Sequence, residues 1–94
     1  MAGFKQEAIQ PATFVTAGTS SVQLVAAKAG RSSLIVCNDH ATNDVYLSLG
    51  TAAAVVGSGV ALYAPGGSIL LDNYRGAVQV IATGASTNVT VAEV

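Results

Sequence analysis

Charge is what this sequence has least of. Asp, Glu, Lys and Arg make up 10% of its 94 residues, against roughly 25% in ordinary soluble domains. A solitary domain normally wants a well-charged surface, so much of this surface is expected to be covered in an assembly. The alternative is a small neutral sandwich that stays alone. The four cations, Lys5, Lys28, Arg31 and Arg75, are scattered. They form no basic patch, which argues against nucleic-acid binding driven by phosphate neutralisation. Trp is absent, and there are only two Phe and three Tyr. The apolar share is rich in Ala, so the core is expected to be thin. A chain of this length is one domain that buries about two-thirds of its unfolded surface. No apolar run is long enough to span a bilayer. Residues 1–10 carry Lys5 and Glu7 and no apolar core, so no signal peptide is expected.

Cysteine and histidine are equally scarce. Cys37 is the single cysteine, so neither an internal disulfide nor a thiolate cluster can form. It falls in an apolar run with no flanking cation, and is expected to be a small buried residue without special reactivity. His40 is the single histidine. A cupin-type metal centre needs several His and carboxylate ligands, and this chain cannot supply them. A solvated turn histidine is expected instead. Asp39, Asn43 and Asp44 lack the ordered spacing of a calcium loop. No GxSxG elbow is present, and one histidine would have to serve every serine as a base. The expectation is therefore no catalytic residues, no metal, no cofactor and no enzyme.

What is present is a succession of short β-rich runs. Ser33 to Cys37 and Val45 to Leu49 are rich in Val, Ile, Leu and Tyr, which fit a pleated, half-buried surface. The polar stretch Asn38-Asp39-His40-Ala41-Thr42-Asn43-Asp44 lies between them, and the pair reads as a hairpin. Thr13 to Thr16 and Ser21 to Ala27 precede it. Val60 to Tyr63, Ser68 to Leu71, Ala77 to Ala82 and Asn88 to Val94 follow, the last two reading as a closing hairpin. Ala64-Pro65-Gly66-Gly67 is a strong turn signal. Gly50 to Gly59 is a surface loop with an apolar tip at Val55 and Val56. Val22-Gln23-Leu24-Val25-Ala26 faintly echoes Val78-Gln79-Val80-Ile81-Ala82. Seven or eight short strands at nearly regular spacing point to an all-β fold, a small antiparallel β-sandwich or jelly-roll-like barrel. Residues 13–94 form this domain, and residues 1–12, with Phe4, Ile9 and Pro11, read as an extended arm.

Two kinds of contact residue are expected. Phe4, Ile9, Phe14, Val55 and Val56 are candidates for an interface. Tyr46, Tyr63 and Tyr74 are candidates for a ligand platform of the kind that binds sugars, because each carries an apolar ring with a polar tip.

The run Arg31-Ser32-Ser33-Leu34-Ile35-Val36-Cys37-Asn38, then Val45-Tyr46-Leu47-Ser48-Leu49-Gly50, carries a resemblance. So do Ala64-Pro65-Gly66-Gly67-Ser68, Tyr74-Arg75-Gly76-Ala77-Val78 and Val89-Thr90-Val91-Ala92-Glu93. Over roughly Ser21 to Val94 this order resembles small β-rich structural proteins of tailed bacteriophages. The resemblance implies a virion component. A capsid decoration (cement) protein on the outer shell is the first expectation, and a tail- or fibre-associated module, with carbohydrate binding as its expected role in host attachment, is the alternative. It implies a homo-oligomer, with a trimer favoured, that contacts the major capsid protein or another virion protein. It implies neither a nucleic-acid nor a membrane partner. Synthesis in the host cytoplasm is expected, with no catalytic residues to carry over.

Overall fold

The computed structural model describes residues 13–93. Its eight strands are β1 (Thr13–Ala17), β2 (Val22–Val25), β3 (Ser33–Asn38), β4 (Val45–Leu49), β5 (Val60–Leu62), β6 (Ser68–Asp72), β7 (Val78–Ala82) and β8 (Thr87–Glu93). They build two four-stranded sheets, ordered β1-β8-β3-β6 and β2-β7-β4-β5. Every pairing is antiparallel. The fold is a small β-sandwich. Strand one pairs with eight, two with seven, three with six and four with five. The chain is thus one long hairpin rolled over on itself, with β8 against β3 and β7 against β4 closing the roll. That is the jelly-roll arrangement.

The sheets meet through the inward positions of each alternating strand. Leu34 and Val36 of β3, Val45 and Leu47 of β4, Val78 and Val80 of β7, and Val89 and Val91 of β8 form the centre. Ala17, Leu24, Leu62 and Leu71 complete the buried cluster from the four edge strands. The core is built of Val, Leu and Ala; Val15, Val25, Val60, Ile69 and the ring of Tyr74 pack against its margin.

Two expectations about pairing are corrected. The central hairpin does not exist: β3 and β4 lie in different sheets, and residues 39–44 arch between them. The closing hairpin fails likewise, because β7 and β8 lie in different sheets. A close hairpin favours a two-residue turn. The longer β3–β4 connection is instead turned out of the sheet by the Asn38 side chain. Its Nδ2 donates to the carbonyl of Asn43 at 2.8 Å and of Leu62 at 2.9 Å. Only β4 and β5 pair with a sequence neighbour. The faint echo is explained by adjacency: β2 and β7 are antiparallel partners, with Val22 opposite Val80 and Gln23 opposite Gln79.

Other local expectations shift too. Cys37 is half-buried, because Leu34, Val36 and Asn38 take the inward positions of β3 and leave Cys37 on the outer face. Val22 is exposed beside a register irregularity between Gln23 and Val25. Leu49, at the end of β4, is exposed rather than inward.

The end of the sandwich that carries the β2–β3 and β6–β7 loops is held by Arg31. Expected in a polar turn, it is only 2% exposed. Its Nε donates to Tyr74 O at 3.1 Å, Nη1 to Ala26 O at 3.3 Å, and Nη2 to Gly76 O. Nη1 also lies 3.6 Å from Glu93 Oε2. Lys28 reaches the same carboxylate at 3.5 Å from a half-exposed position, where an ion pair contributes about 0–1 kcal/mol. Tyr74 Oη donates to Ala77 O at 2.7 Å. Gly76 lies under that ring, where any side chain would strike the hydroxyl.

Arg31→Ala is expected to cost about 3–5 kcal/mol, the usual range when one member of a buried ionic cluster is removed. Arg31→Lys recovers little, since an ammonium cannot spread over three carbonyls as a planar fork does. Urea unfolding measures both; a midpoint for Arg31→Ala equal to wild type would show that the guanidinium does not hold this end together.

Candidate interaction surface

The outer face of the β1-β8-β3-β6 sheet exposes three large apolar side chains among polar neighbours. Strand alternation that puts Val15 and Ala17 inward turns Phe14 outward; the same alternation exposes Ile35 on β3 and Leu70 on β6. Phe14 is 61% exposed, Leu70 59% and Ile35 44%. Register sets Ile35 directly beside Leu70, and leaves Phe14 in the adjoining row on the far side of β8. Phe14 lies opposite Thr90, and Thr90 opposite Cys37. One row along, Ala92 lies opposite Ile35, and Ile35 opposite Leu70. No charged residue stands in these two rows; Asp72 stands at the end of β6. Large apolar side chains exposed on one face mark an interaction site when they form a patch, and the Ile35–Leu70 pair is the centre of this one.

The expected interface residues do not share one side. Phe14 belongs to this face. Val55 and Val56 are exposed on the 50–59 loop, which folds back over the outside of the opposite sheet. Gln79 Nε2 donates to Gly50 O at 3.1 Å, and the Ala54 amide donates to Ser21 Oγ at 2.8 Å. Ala54 and Ile81 are buried outside the main core cluster, as such a cover would leave them. Phe4 and Ile9 lie outside the described residues, as does the arm. Ile35 and Leu70 escape a reading by composition. Alternation alone could have flagged them, since each is a large apolar residue out of phase with its inward neighbours.

The tyrosines divide similarly. Tyr46 points outward from β4, and its ring meets Tyr63 edge to face, with centroids 6.4 Å apart at 89°. Tyr63 is 61% exposed. Partial burial of Tyr46, with Tyr63 and Asp44 beside it, pushes its phenol above the ordinary value. Tyr74 stands apart, with its ring against the core and its hydroxyl committed to Ala77.

The end opposite Arg31 carries a network of amide, hydroxyl and imidazole groups and one carboxylate, that of Asp44. Asn38 is fully buried, and its Oδ1 accepts from the His40 amide at 3.0 Å. His40 Nδ1 accepts from the Thr42 amide at 3.1 Å and the Asn43 amide at 2.9 Å. The imidazole is therefore a loop cap rather than a free solvated side chain, and its ring proton sits on Nε2. Asn43 Nδ2 donates to the buried Thr87 Oγ1 at 2.9 Å, which itself donates to Gly84 O at 2.9 Å. Asp44 Oδ1 accepts the Ala64 amide at 3.0 Å. Ala64–Pro65 is cis, and Gly66 takes a φ of 77° in the turn that follows.

An open cleft of about 390 Å³ lies beside this network, lined by residues from Cys37 to Ala41 and by Pro65 and Gly66. The Cys37 thiol points to the carbonyls of Asn38 and Gly66, at 3.8 and 4.0 Å. Among the described residues no three His, Cys, Asp or Glu side chains gather as metal ligands. Among them, too, every buried side-chain nitrogen and oxygen has a partner, so none is left over to await a ligand.

His40→Ala is expected to raise the exchange rates of the Thr42 and Asn43 amides, which lose their acceptor. Asn38→Ala should destabilise the fold by about 1–3 kcal/mol, the cost of stranding buried polar groups. Amide exchange and denaturant unfolding measure the two effects, and unchanged values would remove the network from the account of this end. No family model matches the chain, and no curated protein or solved structure matches it.

Proposed function

We propose that this chain is a non-enzymatic structural component of a tailed-phage virion, a decoration protein that binds the outer capsid and stabilises the shell. The observation that carries the reading is the set of large apolar side chains, Phe14, Ile35 and Leu70, exposed in two uncharged rows of one outer face. Low overall charge supports it. So does the rolled eight-stranded topology, which viral capsid domains share with lectins and cupins; topology alone does not select among these. A specific protein contact buries about 1,200–2,000 Å² in total. An apolar sheet face contributes the dry centre of such a contact, and the polar ends of the sandwich supply its rim. Repeated at each capsomer junction, this adds buried area without chemistry. Self-association and the arm at residues 1–12 belong to the same reading, with the major capsid protein as the main partner.

A second reading, a tail- or fibre-borne carbohydrate-binding module, draws on one observation: the outward Tyr46–Tyr63 pair. A glycan array tests it, and loss of any hit on Tyr63→Ala would assign the binding to that pair.

The first reading is tested on capsids purified without the protein. Wild type is expected to bind and to raise the temperature at which shells open. Leu70→Lys and Ile35→Lys should each weaken binding by at least about tenfold, equivalent to about 1.4 kcal/mol, because each places a charge in the dry centre. Equal binding by all three proteins would rule out this face, and no binding by any would rule out the decoration role.

A further inference from the structure

Four strand edges bound the two sheets, those of β1, β6, β2 and β5. An edge strand offers unpaired amides and carbonyls to any other strand, and proteins blunt such edges with short strands, bulges or charge. Three of the four edges carry one of these devices. β5 has only three residues. β2 is broken by the register irregularity between Gln23 and Val25. β6 ends in the exposed Asp72, which is held at the edge by Ser33 Oγ at 2.9 Å.

β1 has none of them. It runs five residues, Thr-Phe-Val-Thr-Ala, without charge, glycine or proline. All five keep an unbroken register with β8. Among the described residues nothing pairs with its outer side. Phe14 and Thr16 flank that edge on the exposed face of the sheet.

We propose that β1 is a self-pairing edge, joining two copies of this chain across a two-fold axis into one continuous eight-stranded sheet. The chemistry selects a second copy. In a two-fold contact each residue meets its own surface, so a charged strand would meet its own charge, and like charges placed opposite are destabilising. β1 has no charge to oppose. An antiparallel pairing centred on Val15 sets Phe14 of each copy against Thr16 of the other, an aromatic and β-branched pair of the kind that stabilises adjacent strands. The joined sheet also brings the two outer faces, each with Phe14, Ile35 and Leu70 exposed, side by side. The inference stands whether or not the chain belongs to a virion. It puts a two-fold contact where composition and resemblance suggested a trimer.

Sedimentation of the full chain over a concentration series tests it. The mass is expected to rise from the 9.3 kDa monomer to twice that value. Thr16→Lys should remain monomeric throughout, while Gln23→Lys, exposed on the edge strand of the opposite sheet, should associate as wild type does. Thr16 is exposed, and circular dichroism with a melting curve confirms that the variant is folded. A wild type that stays monomeric, or that forms a trimer, overturns the proposal. So does a Thr16→Lys protein that dimerises normally. Amide exchange gives a reading without mutation. The β1 amides that face away from β8 should exchange slowly at high protein concentration and fast on dilution. Rates independent of concentration would assign the edge to residues 1–12 or leave it uncovered, and would equally overturn the proposal.

Discussion

A guanidinium removed from water costs several kcal/mol unless its donors are met. Arg31 meets that demand with the carbonyls of Ala26, Tyr74 and Gly76 and the carboxylate of Glu93. Those acceptors come from the β2–β3 loop, the β6–β7 loop and the end of β8. The first connects the two sheets, as does the second, and the third belongs to a central strand. The guanidinium therefore fixes how the sheets register at this end, and apolar packing alone would tolerate a slide. Tyr74 and Gly76 continue the arrangement, with the ring closed over the glycine and the hydroxyl tied to Ala77.

The other end is held chiefly by neutral groups, with the Asp44 carboxylate among them. Asn38, Asn43 and Thr87 pass hydrogen bonds between three loops, and the His40 ring caps two amides. The strands between the two ends are short, and the core they enclose has few large side chains. In so thin a sandwich the polar ends contribute specificity that a larger core would supply by shape. The outward faces are thereby left free to carry exposed apolar side chains, as one does at Phe14, Ile35 and Leu70.

Strands were legible because alternation is local. Val45 and Leu47 against Tyr46, or Val89 and Val91 against Asn88, declare a half-buried strand from their own order. Pairing was not legible, because β3 and β4 bury the same residues whether they pair or face each other across the core. Alternation reports which side is inward and is silent on which neighbour is bonded. Arg31 was hidden for a related reason: its partners lie 5, 43 and 45 residues along the chain, and nothing in Lys28-Ala29-Gly30-Arg31 distinguishes a buried cation from a turn cation. At the candidate surface, Phe14 and the Val55–Val56 tip stood out as large apolar residues in polar company. Ile35 and Leu70 did not, since they sit inside runs that read as core. The two-sided split of Phe14 from Val55 follows from the 50–59 loop folding back, which depends on Ser21 and Gln79, again remote in sequence.

The place of β8 has a consequence for the order of events at the ribosome. It lies between β1 and β3, which do not touch each other within their sheet. While the chain emerges, β1 has no partner to wait beside, and it gains one only when the last described strand appears. Pairing of β1 thus waits on a late step that threads β8 between two strands made before it. Until then the most adhesive strand of the protein travels uncovered, and crowding by other copies at that moment is the hazard its plain sequence carries.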